Sequence, residues 1–93
     1  MAKYIEVGPT SPTLAGLVWR EHFGCYSAKV AEWLELSFSY QKGGYRVVVA
    51  GHAMRARGRD PQSAAALAVE AARMLLRKAL EALPVEEVDK ETK

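Results

Sequence analysis

Cysteine is almost missing from this 93-residue chain: Cys25 stands alone. One thiol cannot close an internal bridge, so the fold must hold without disulfides, and a cytoplasmic location is expected. No run of about eighteen apolar residues occurs, so no membrane-spanning helix and no membrane partner are expected. The opening MAKYIEVGPT lacks the apolar core of a secretory signal. Histidine is scarce too, with only His22 and His52. His22 and Cys25 lie three apart in HFGC, which is half of a zinc site; structural zinc takes four such ligands, so no metal is expected. No orienting group stands out beside a Cys25 nucleophile. Walker and dinucleotide glycine patterns are absent, and KGGY (residues 42–45) is a turn signal, since no helix follows it. With no catalytic set and no cofactor motif, the chain reads as a non-enzyme.

What is present suits a small globular fold. Apolar residues make up 49% of the chain. The length fits one domain over residues 1–84, with residues 85–93 as a flexible acidic tail. Net charge is only +2 but uneven: residues 41–83 carry eight basic and three acidic groups, about +5, while both flanks are acidic. A basic middle favours an acidic partner.

Residues 3–7 (KYIEV) alternate as a short strand. Ser11 and Pro12 allow a short N-terminal helix with Leu14, Leu17 and Val18 on one face and Gly24 at its end; a strand through LAGLVW is the alternative. SAKVAEWLE is ambiguous between the two. From Leu34 the alternation is clean, with Leu34, Leu36, Phe38 and Tyr40 on one face and Glu35, Ser37, Ser39 and Gln41 on the other. A turn at Gly43-Gly44 sets Tyr40 opposite Val47 and Phe38 opposite Val49. A second turn at Gly51-His52 sets Met54 opposite Val49 and Ala56 opposite Val47. Asp60 followed by Pro61 starts a helix that runs to about Leu83, before Pro84. Ala64, Ala68, Ala72, Leu75 and Ala79 form its narrow strip toward the sheet. The expected fold is therefore α+β: a three- or four-stranded antiparallel sheet with a long C-terminal helix on one face.

Two surfaces follow from that arrangement. Arg46, Arg55 and Arg57 share the face away from the helix, Arg59 extends the row, and Trp33 joins it if the strand begins that early. Guanidinium groups grip phosphates and carboxylates, and aromatics stack on bases. The helix is apolar over roughly two-thirds of its circumference, more than one sheet covers. Val69, Leu76, Leu80 and Leu83 are the spare flank, to be covered by the N-terminal segment, by a second copy of the chain in an expected homodimer, or by a partner.

Three resemblances attach to these residues. A helix, three strands and a helix over residues 12–83, with RVVVAGHAMRARGRD before an alanine-rich helix, resemble a double-stranded-RNA-binding domain; where that family carries a basic cluster, this chain reads DPQSAA. Residues 34–83, with GGYRVVV and GRDPQSAAALAVEAA, resemble the strand–strand–helix half of HicB-type antitoxins, though AGHAM stands where those have a proline-rich strand end. RARGRDPQSAAALA looks like the sheet-to-helix join of small phage proteins, including some anti-CRISPRs. The last resemblance implies a small inhibitor or regulator that docks on a protein partner in a nucleic-acid-handling complex and blocks its site. That is the leading expectation; the first two imply the alternative, a nucleic-acid-binding module or antitoxin using the arginine face.

Overall fold

A computed structural model describes residues 10–85. The strand expected at residues 3–7 and the tail beyond Val85 lie outside that range. The fold is α+β. A small hairpin, β1 (Thr13–Leu14) and β2 (Leu17–Val18), precedes a five-stranded antiparallel meander. The meander runs β3 (Arg20–His22), β4 (Cys25–Ala31), β5 (Leu34–Gln41), β6 (Gly44–Val49) and β7 (His52–Gly58), each strand pairing with the next. One helix, α1 (Pro61–Ala82), closes the chain.

Residues 13–31 form short strands joined by tight turns, with no helix, and the main sheet has five strands where three or four were expected. The cause is a series of tight turns. Ala15-Gly16, Phe23-Gly24 and Ala50-Gly51 all hold φ between +51° and +83°. Two successive positive φ values give the turn whose twist suits a two-residue hairpin. Glycine enters that region freely; alanine and phenylalanine enter it at a cost, and so disguise the signal.

The expected β5–β6 register slips by two residues throughout, and the β6–β7 register does so only beside its turn. Phe38 lies opposite Val47 and Leu36 opposite Val49, because the turn is Lys42-Gly43. Gly44 cannot serve in the turn: it sits in the strand, where a Cβ would come within 2.8 Å of the Gly58 carbonyl oxygen. At the next turn Val49 meets His52, while Arg46 meets Arg57 in the expected frame. A bulge absorbs the difference, three residues of β7 (Met54, Arg55, Ala56) standing against Val47 alone. A slip of two leaves every side chain on its face; a slip of one would have inverted the sheet.

The inner face buries Ala28, Leu34, Leu36, Phe38, Val47 and Val49 beneath Ala64, Ala65, Ala68 and Ala72 of the helix. Trp19, between β2 and β3, is fully buried; its indole N–H donates to the Leu14 carbonyl at 2.9 Å and its ring meets Phe38 edge-on at 4.9 Å. The β1–β2 hairpin thereby covers part of the helix flank. Asp60 caps the helix as expected: its carboxylate accepts from the Ser63 N–H at 2.8 Å, and the Ser63 hydroxyl accepts from the Asp60 N–H at 3.2 Å. Small residues let the chain approach closely at this corner. A Cβ on Gly58 would meet Ala64 backbone and side-chain atoms at 2.5–2.6 Å.

The helix outruns its sheet. Its 22 residues extend for about 33 Å, and burial ends at Ala72. Leu75 and Ala79, expected on the buried strip, are consequently in the exposed half.

Candidate functional site: the outer face of the sheet

The face opposite the helix is open, and the strand register orders it in rows. One row reads His22, Cys25, Ser39, Arg46, Arg57 across five strands. The next reads Arg20, Ser27, Ser37, Val48, Ala53. Lys29 and Glu35 pair in a third. Arg55 alternates with Met54, which packs toward the core, and so stands with Arg57 and Ala53 on the outer side.

The floor is made of small side chains: Cys25, Ser27, Ser37, Ser39, Val48 and Ala53. Cations stand at its two sides, Arg20 and Lys29 on β3–β4, Arg46, Arg55 and Arg57 on β6–β7, all exposed. Against five cations the face carries one acid, Glu35. Strands lie about 4.8 Å apart, so Arg20 and Arg46 are separated by roughly 15 Å. Lys29 makes a 3.9 Å ion pair with exposed Glu32, a contact of small energy. Among the described residues no carboxylate lies within ion-pair distance of Arg20, Arg46, Arg55 or Arg57.

The three arginines expected on this face are brought together. Arg46 and Arg57 are direct cross-strand partners. Like charges so placed repel, and Arg57 turns aside: its guanidinium donates to the Lys42 carbonyl at 3.0 Å. As residues of an edge strand, Arg55 and Arg57 also border grooves along the helix. Arg59 is past the sheet, at the strand–helix corner beside Asp60 and Ser63. Its charge and the two Ser63 hydrogen bonds hold the Asp60 carboxyl below its usual range, the backbone bond contributing most. Trp33 does not join the row. It sits 69% exposed in the β4–β5 turn, at the opposite end of the sheet from Arg46 and Arg57. Arg20 and Lys29 were not expected here, since a helical reading of residues 12–24 hides Arg20 and an ambiguous SAKVA hides Lys29. The recurring x-Gly pair at Gly16, Gly24, Gly43 and Gly51 is the signal that would have revealed them.

Phe23 is a further feature of this end. It is 80% exposed at the tip of the β3–β4 hairpin, 4.3 Å from the His22 ring, and held at φ +53°. A bulky exposed aromatic in the left-handed region is costly, and such strain gathers at functional positions. Glu21 braces the same hairpin from the inner side. It accepts from the Thr10 hydroxyl at 2.8 Å and the Gly24 N–H at 3.1 Å; these bonds, then nearby His22, hold its carboxyl below the usual range.

His22 and Cys25 face each other across β3–β4, while His52 begins β7 at the far end. Among the described residues no three His, Cys, Asp or Glu side chains gather as a metal set. No helix among them is long and apolar enough to cross a membrane. No protein-family model matches this chain, and neither a curated protein nor a solved structure does.

Proposed function

We propose that the chain is a non-enzymatic binding module whose outer sheet face docks on the phosphate backbone of a nucleic acid. The observation carrying this is the open floor of small side chains, three of them serines, with cations on both sides. Its span of roughly 15 Å would let the cations at its two sides reach phosphates on either side of a B-DNA major groove about 12 Å wide. Serine hydroxyls and guanidinium groups are ordinary phosphate donors. Asp60 at the helix N-terminus does not oppose this reading, because that terminus lies at the strand–helix corner, off the face.

Salt dependence tests it. Five phosphate contacts give a slope of about −4.5 in log K against log salt, or roughly a 500-fold loss between 50 and 200 mM. Fluorescence anisotropy with duplex DNA, duplex RNA and a single strand reads both affinity and slope. Arg20→Ala should weaken binding and reduce the slope by about 1. No binding to any of the three at low salt refutes the reading.

A second reading keeps the face and changes the partner: a phage-type inhibitor or regulator, of the anti-CRISPR kind, that blocks a protein complex. Phe23 favours it. Aromatic and arginine side chains are the common anchors of protein interfaces. Absence of nucleic-acid binding, together with loss of a protein partner on Phe23→Asn, would favour this alternative.

A further inference from the structure

We infer that a second copy of this chain docks against the overhanging half of the helix, as an antiparallel pair centred on Leu76. At about 100° per residue, Leu75, Leu76, Ala79, Leu80 and Leu83 continue the same helix face that Ala64, Ala68 and Ala72 press onto the sheet. Beyond Ala72 that face has no cover among the described residues: Leu80 is 70% and Leu83 61% exposed. Where the helix leaves the sheet, an open apolar groove of about 320 Å³ begins, walled by Ala15, Leu17, Val30, Val69, Ala72 and Leu76. Val30 reaches it because a bulge between Lys29 and Ala31 turns the chain there.

The overhang and the groove fit each other. Val69, Leu76 and Leu83 are spaced by sevens, so a two-fold axis at Leu76 sets Leu83 of the second copy against Val69. The same axis sets Leu76 against its own copy and brings Leu80 of the second copy to the edge of the groove at Ala72. Each overhang thus fills the other chain's groove. A two-fold pair uses one patch twice and closes, leaving none of that patch free to propagate. The exposed apolar area that would be covered is roughly 400 Å² per chain; at an apolar share of about 60% the whole interface is near 1,300 Å². That lies within the 1,200–2,000 Å² range, roughly, of stable interfaces, at its weaker end. The proposal stands on the helix and the groove alone, independent of what the sheet face binds.

Sedimentation equilibrium of the full chain, from micromolar to millimolar, is the first test; a reversible monomer–dimer equilibrium is expected. Leu80→Glu with Leu83→Glu should abolish the dimer and leave the circular-dichroism spectrum unchanged, because both side chains are already exposed. Register is tested separately. In a Cys25→Ser background, Leu76→Cys should cross-link to a disulfide dimer under mild oxidation, since a two-fold at this residue brings the two Cβ atoms to bridging distance. Glu81→Cys, on the far side of the helix, should not. A monomer at every concentration overturns the proposal, as does a dimer that survives the double glutamate variant, or cross-linking at Glu81→Cys in preference to Leu76→Cys. A monomer that binds anionic vesicles through the same leucines would assign the face to a lipid surface instead.

Discussion

Gly58→Ala isolates the contact that seats the helix on the sheet. Gly58 ends β7, is buried, and has no left-handed φ, so its substitution is a purely steric perturbation. The added Cβ meets the Ala64 Cα at 2.5 Å, its N at 2.6 Å and its Cβ at 2.6 Å, against an ordinary carbon contact of about 3.5–4.0 Å. No flexible side chain can give way; the helix must move by about 1 Å. Overpacking costs about 1–3 kcal/mol, and backbone contacts place this case near 3. For a domain of this size each kcal/mol lowers the Tm by about 4–8 °C, so a drop of roughly 12–24 °C is expected. Thermal and urea melts followed by circular dichroism read it. Gly51→Ala is the control: nothing lies within 4 Å of its Cβ and only its φ of +83° resists, at about 1–2 kcal/mol. Adding Ala64→Gly to Gly58→Ala should recover less than half the loss, since two of the three contacts are backbone. Gly58→Ala melting at or above Gly51→Ala would show that helix and sheet are not this close, and the burial of Ala64 and Ala65 would need another explanation.

Other outcomes follow from the same geometry. Phe23→Asn should raise stability by about 1 kcal/mol, because asparagine tolerates the left-handed region, while weakening binding of a protein partner; a variant that loses stability would remove the strain argument. Trp19→Ala should cost about 3–5 kcal/mol, whereas Trp33→Ala should change the melt little; iodide quenching should reach Trp33 and spare Trp19. Glu21 and Asp60 both have folded pKa values below their unfolded ones. Their contribution is therefore complete above the unfolded values, near pH 4, and lost as pH falls through the folded ones. Melts taken down to acid pH should steepen there, and Glu21→Gln with Asp60→Asn should flatten that limb; an unchanged limb would count against both hydrogen-bond sets.

Local chemistry was legible in the residues alone. Asp60-Pro61 and Ser63 make a helix start out of near-neighbour bonds, and Leu34 to Tyr40 alternate with a period that only a half-buried strand satisfies. The two-residue slips around β6 did no harm to the arginine face for the same reason: the period of a strand is two. The N-terminal third was not legible, because Ala15 and Phe23 occupy turn positions that chemistry assigns to glycine or asparagine. Composition there favours helix; the tertiary structure holds strands, since Trp19 and Ala28 are buried and Tyr26 half-buried beside Phe38 and Leu36. That docking decided which cations share a surface, adding Arg20 and Lys29 to Arg46, Arg55 and Arg57 and sending Trp33 to the other end. It also decided where the helix loses its cover. Helix length follows from local propensity, but where burial stops depends on where the strands beneath it end, and no residue of the helix encodes that.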